Sequence, residues 1–188
     1  MTALLSAVWG VVPGSVLLAA AAPVEMDVSR DAGRVDLRIR TTVEAPRAVI
    51  WAVLTDYGNT AKWVPGMASS DVLERMGDGA IVEQSGYATV LFFHLAVHSV
   101  VRVTELPPDR IEVGLVKGDF KYLKGAYAIR ALDSADTRYE LVWHGQLELA
   151  SQVPGFVAQP LLANNLKDSF EGLVGEVARR AKIAKSSK

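Results

Sequence analysis

Along most of the middle of this chain, apolar and polar residues alternate with a period of two, the signature of half-buried strands. In residues 35–43 (VDLRIRTTV), Val35, Leu37, Ile39 and Thr41 alternate with Asp36, Arg38, Arg40 and Thr42. The same reasoning predicts strands at 67–75, 80–87, 90–106, 110–117, 122–132 and 138–149. Turn chemistry separates most of them: Gly77-Asp78-Gly79, Pro107-Pro108-Asp109, Gly118-Asp119 and Asp133-Ser134-Ala135-Asp136. Short connections between evenly spaced strands mean antiparallel hairpins rather than parallel crossover units.

Parity gives the sheet two different faces. Leu141, Trp143, Leu147 and Leu149 share one face, and Glu140, His144, Gln146 and Glu148 the other. Leu123, Tyr127 and Ile129 oppose Lys124 and Arg130. Phe93, Leu95, Val97, Val101 and Val103 oppose His94, His98, Arg102 and Thr104. One face is therefore apolar and the other mostly polar. Gly125 and Gly145 fall on the apolar parity, where they bend the sheet or leave space.

The period lengthens to that of a helix in two places. After Glu44-Ala45-Pro46, Val49, Ile50, Val53 and Leu54 predict a short helix reaching 55 or 56. Residues 57–63 suit a second short helical turn, stopped by Val64-Pro65-Gly66. Near the C-terminus, Pro160 is placed to open a helix that runs to about Ile183. Its stripe is Leu162, Leu166, Phe170, Leu173, Val177 and Ala181, with Lys167, Asp168, Glu171 and Glu176 off the stripe. An apolar sheet face and one long amphipathic helix satisfy each other, so the expected class is α+β, a curved antiparallel sheet wrapped around the C-terminal helix.

Composition adds limits. The 188 residues suit one domain, and the formal net charge of -1 gives no field that attracts nucleic acid. There is no cysteine, which excludes disulfides, thiolate metal sites and a cysteine nucleophile. From Met1 to Val24 no side chain is charged, and Ala19-Ala20-Ala21-Ala22 offers small-residue cleavage choices. This reads as a secretory leader cut near Ala21 or Ala22, hence a periplasmic or secreted protein. The rival is an uncleaved anchor, since the stretch approaches the ~20 residues that span a bilayer. The expected organisation is a leader at 1–22, a linker at 23–34, the domain at 35–183 and a basic tail at 184–188.

Candidate chemistry is sparse. His94 and His98 lie four residues apart on one strand, about 13 Å of backbone, too far for two imidazoles to share one zinc. They and His144 fall on the polar parity, so solvated histidines are expected and no metal site. No phosphate-binding or dinucleotide-binding glycine motif, no HExxH and no serine elbow is present. No catalytic residue and no cofactor is expected from the residues. Glu83 shares parity with Ile81 and is expected to turn inward.

Several short runs together resemble the START-like (SRPBCC) superfamily, in its polyketide cyclase/dehydrase and coenzyme Q-binding branch. They are Thr42-Val43-Glu44-Ala45-Pro46 with Val49-Ile50-Trp51, Asp56-Tyr57, Trp63-Val64-Pro65-Gly66-Met67 leading into 70–74, Gly118-Asp119-Phe120 and Gly125-Ala126-Tyr127. The resemblance covers about 35–182 and implies a helix-grip fold with two short helices after the first strand. It also implies a cavity between sheet and long helix, used in such proteins mostly to hold lipids, sterols, quinones or polyketides.

The expected ligand-binding set is Trp63, Met67, Glu83, Tyr87, Phe93, Tyr127, Trp143, Phe156, Leu162, Leu166 and Phe170, with Tyr87 and Tyr127 able to offer hydroxyls. The expected function is binding or transport of a lipid, isoprenoid or quinone-like molecule. The Pro/Gly-containing segments 63–67 and 151–159 are expected to act as gates, with apolar residues able to touch a membrane transiently. Two alternatives stand beside it. One is a cyclase or dehydratase in which Glu83, Tyr87 or Tyr127 moves protons. The other is a protein-interaction module whose cavity is filled. The oligomeric state is not legible.

Overall fold

The computed structural model describes residues 22–31, 34–90, 93–150 and 155–186, with side chains throughout except at 31, 88–90, 93–94 and 155–162. Eight strands form one open antiparallel sheet in the order β1-β2-β8-β7-β6-β5-β4-β3. They are β1 (Glu25–Asp31), β2 (Arg34–Glu44), β3 (Met67–Met76), β4 (Gly79–Val90), β5 (Phe93–Leu106), β6 (Arg110–Gly118), β7 (Phe120–Ala131) and β8 (Arg138–Leu149). Helix α1 (Arg47–Leu54) and a 3₁₀ turn (Tyr57–Lys62) join β2 to β3, and α2 (Gly155–Ser186) closes the fold. This is the helix-grip architecture that the alternation and the stripe predict.

The inward parity forms the core. Leu37, Ile39, Leu141 and Ile111 are at most 1% exposed, and on α2 Phe170, Leu173, Val174, Val177 and Ala181 close over them. α1 contributes Ile50, Val53 and Leu54. The sheet bends where an extra residue interrupts a ladder: between Met67 and Ser69, Val72 and Glu74, Val100 and Val101, and Phe120 and Tyr122. Each bulge adds local twist, and together they curl the sheet around α2.

Three expectations need correction. Residues 25–31, read as linker, form β1, whose Val24, Met26 and Val28 flank pack on the core. The strand is an edge, fixed by the ladder to β2 and by Arg40 Nε donating to Glu25 at 2.8 Å. The long helix starts at Gly155, not Pro160, because nothing from Phe156 to Gln159 breaks it. Pro160 then lies in the second turn, where its missing N–H costs one helical bond. At the other end the helix runs through Ser186, so most of the basic tail is helical. All of the expected leader but Ala22 lies outside the described residues. Among those described, no helix is long and apolar enough to cross a membrane.

One ladder is short. β6 and β7 pair only from Arg110↔Ala128 to Gly114↔Lys124, although β6 stays paired with β5 to Gly118 and β7 with β8 to Phe120. Residues 115–118 and 120–123 therefore have no strand-to-strand bonds to each other.

Candidate functional site: a cavity beneath the long helix

A cavity of about 300 Å³ lies between the inner sheet face and α2, at the small end of ligand-binding pockets. Its walls come from β4 to β8, the end of α1, the 63–67 loop and one side of α2. Valines and leucines from neighbouring strands dominate it, because Val97, Val101 and Val103 of β5, Leu123 of β7 and Leu147 of β8 point inward.

Of the expected residues, Trp63, Met67, Tyr87, Tyr127, Trp143 and Leu166 line this space. Tyr87 is 57% exposed and stands at the mouth. Phe170 is buried in the core and is not part of the wall. The side chains of Phe93, Phe156 and Leu162 lie outside the described residues.

Glu83 is a correction. Ala80, Val82, Gln84 and Gly86 are the inward set of β4, so Glu83 points to the outer face. There its Oε1 lies 2.9 Å from His98 Nε2. His144 likewise pairs with Asp36, at 3.1 Å. Two histidines are thus occupied by carboxylates on the polar face, on different strands.

The space exists because of two glycines and one indole. A Cβ on Gly145 would lie 2.4 Å from Trp143 Cη2, and one on Gly125 would lie 3.0 Å from Trp143 Cζ2. Trp143 therefore lies back across its own strand and the next, leaving room above it. Tyr127 meets it edge-on, with ring centroids 6.5 Å apart. Burial raises the Tyr127 hydroxyl to about 12, so the phenol is neutral throughout the physiological range.

The mouth is held by close backbone approaches. Gly66 has φ 78°, which favours glycine, and its carbonyl accepts from Tyr87 N–H at 2.8 Å. A Cβ on Gly86 would come within 2.4 Å of that same Gly66 oxygen, and one on Gly172 of α2 within 2.3 Å of the Trp63 oxygen. The 63–67 loop is thus wedged between β4 and α2 with no room for a side chain at either contact.

Behind the loop is a charge cluster that the sequence did not announce. Arg180 donates to Asp56 Oδ2 at 2.5 Å and to Glu176 Oε1 at 2.6 Å, and it sits 5.2 Å from the Trp63 ring centroid. Arg179 makes two further bonds to Glu176. Hydrogen bonding from Arg179, reinforced by Arg180, holds Glu176 at about 2 despite its burial. Burial pushes Asp56 up, but Arg180 and Asn59 outweigh it and the net shift is down. The cluster ties the C-terminal half of α2 to the segment that leads into the mouth. Sequence spacing placed Glu176 off the apolar stripe; it is nonetheless buried, paired with two arginines.

Sequence reasoning also missed Gln84, Ser99, Asn165 and Ser169 in the wall. The inward parity of β5 was the available signal for Ser99. Among the described lining residues there is no Asp, Glu, His, Lys or Arg, and among the described residues no three His, Asp or Glu side chains gather as a metal site.

Residues 43–170 match the family described as polyketide cyclase / dehydrase and lipid transport. No curated protein matches the chain. A START superfamily protein from Mycobacterium smegmatis is 20% identical with a TM-score of 0.65, covering 77% of this chain and 97% of its own. The Zhui aromatase/cyclase from Streptomyces sp. R1128 is 18% identical with a TM-score of 0.67, over 78% and 95%. A STAR-related lipid transfer protein from Xanthomonas axonopodis is 14% identical with a TM-score of 0.65, over 81% and 98%. At these identities the likeness is one of fold.

Proposed function

Because this chain belongs to the polyketide cyclase / dehydrase and lipid transport family, we propose that it binds and carries a hydrophobic small molecule, of lipid, isoprenoid or quinone-like kind, in the cavity beneath α2. The observation that carries this reading is the wall itself. It is apolar, and its described residues hold no charged side chain and no histidine. Such a surface rewards burial of apolar ligand area at ~25 cal/mol per Å², so ~300 Å² would contribute about 7 kcal/mol before ordering costs.

The family and its structural neighbours also include cyclases, so acid/base chemistry is the second reading. It finds less support. General acids and bases work best with pKa values near the operating pH. The titratable groups in the described wall are three tyrosines, and burial and Glu105 raise Tyr57 while burial raises Tyr127. Glu83 faces away. The reading as a filled interaction module is weakened by the open space. We place the carrier outside the cytoplasm, on the strength of the uncharged apolar stretch at the start of the chain.

The test is native mass spectrometry of protein from its own envelope fraction, with solvent extraction of anything bound. A stoichiometric apolar adduct supports the carrier, and the polypeptide mass shows whether and where a leader is removed. A clean apo mass, with no uptake of lipids or quinones offered in excess, overturns it.

A further inference from the structure

Several polar groups of the cavity wall are bonded within the protein. Thr60 Oγ1 donates to the Tyr57 carbonyl at 2.9 Å, and Ser169 Oγ donates to the Asn165 carbonyl at 2.7 Å. Gln84 Nε2 donates to Ser70 Oγ at 3.3 Å, and Ser85 Oγ lies 2.8 Å from Ser69 Oγ. The Tyr57 hydroxyl donates to Glu105 at 3.0 Å. Tyr127 differs. Its hydroxyl has no hydrogen-bond partner among the described residues. Nor is it sealed off: among the described residues, the buried, unpartnered side-chain atoms are Arg38 Nε and Trp63 Nε1. The phenol oxygen is therefore reached from the cavity.

Its position along the cavity follows from the register. At the mouth, Met67 pairs with Gly86 and Gly86 with Val97. Tyr127 pairs with Ile111 and Ile111 with Glu105. Val97 and Glu105 are on the same strand, separated by about 26 Å of extended chain. Tyr127 thus stands at the end of the wall remote from Tyr87, with its ring fixed edge-on against Trp143.

An unpartnered hydroxyl in an apolar enclosure loses the bonds it had in water, unless a ligand restores one. A neutral phenol both donates and accepts, so it suits a carbonyl or a hydroxyl. It does not suit a carboxylate, because no described wall residue offers a cation and desolvating a lone charge is expensive. We propose that the ligand is an apolar molecule with a neutral oxygen, ketone-, quinone- or alcohol-like, at its leading end, and that it enters oxygen first and hydrogen-bonds to Tyr127. This rests on the binding reading above and narrows it. A hydrocarbon tail or an acyl chain inserted methyl-first leaves Tyr127 unsatisfied.

The experiment compares 2-undecanone with undecane by calorimetric titration against the wild-type protein, Tyr127→Phe and Tyr122→Phe. The thermal midpoint of each variant checks that it is folded. The wild type is expected to prefer the ketone by about tenfold. Tyr127→Phe is expected to lose most of that preference with undecane affinity unchanged, and Tyr122→Phe, outside the cavity wall, to keep it. Equal binding of the two probes by the wild type, or a ketone preference that survives Tyr127→Phe, overturns this inference alone. Binding of neither probe by the folded wild type overturns the binding reading, and this inference with it. Should Tyr127→Phe fail to fold, decanoate against the wild type replaces it, and decanoate binding as tightly as the ketone overturns the inference.

Discussion

The indole of Trp143 occupies the place where Gly145 has no side chain: a Cβ there would lie 2.4 Å from Cη2 and 2.5 Å from Cζ2. Gly145→Ala cannot be accommodated without moving the ring, and Gly125 on the adjacent strand shares the same contact. Overpacking of this kind typically costs 1–3 kcal/mol. The expected result is a lower thermal midpoint together with weaker uptake of apolar probes, because the indole swings into the space above it. Unchanged probe affinity in a destabilised Gly145→Ala would show that the ring moves elsewhere.

A second expectation concerns the mouth. Gly86 faces the backbone oxygen of Gly66, and a backbone atom cannot swing aside as a flexible side chain does. Gly86→Ala is expected to lift the 63–67 loop and break the bond from Tyr87 N–H to Gly66 O. Amide hydrogen exchange at Tyr87 is expected to accelerate by at least about tenfold, the equivalent of 1.4 kcal/mol, and ligand dissociation to speed up with it. Protection equal to the wild type would show that the loop is held elsewhere.

The third follows from Glu176. Its carboxyl is held at about 2 in the folded protein, against 4.5 ordinarily. The unfolded chain therefore binds more protons between these values, and stability rises with pH across that window. The contribution is complete above about pH 4.5 and is lost as pH falls through 2. Glu176→Gln is expected to cost about 2–3 kcal/mol at pH 7 and to flatten the acid limb of a denaturation midpoint plotted against pH. An acid limb as steep as that of the wild type would assign the dependence to other carboxylates.

Glu83 supplies a contrasting case. It faces away from the cavity and pairs with a half-exposed His98. Glu83→Gln is expected to leave apolar probe affinity unchanged and to alter stability by less than about 1 kcal/mol. A marked loss of binding would restore the inward reading.

Much of the architecture is legible in the sequence, because period and parity are local. Leu141, Trp143, Leu147 and Leu149 announce the inner face of β8, and Phe170, Leu173, Val177 and Ala181 announce the buried side of α2. β1 was harder to see. Met26 and Val28 do alternate with Asp27 and Ser29, but the run is short and becomes a strand only through its ladder with β2. In β4 the inward set contains Gln84 and Gly86, so apolarity did not mark the face, and Ile81 drew Glu83 to the wrong side. The site was legible only in part. Aromatic type and parity found Tyr127 and Trp143, whereas the meeting of Trp143 with Gly145 depends on a side-chain orientation that spacing leaves open. Arg180 and Asp56 lie 124 residues apart and become neighbours only when α2 settles on the sheet.

The short ladder between β6 and β7 gives the cavity wall a mechanical direction. Its two halves, β3 to β6 and β1, β2, β7 and β8, are laced together at five rungs and run free beyond Gly114 and Lys124. Spreading them apart over 115–118 and 120–123 breaks no strand-to-strand hydrogen bond, while stretching the wall along its strands works against covalent geometry, because the chains are already near full extension. The cavity wall is therefore compliant in girth and stiff in length.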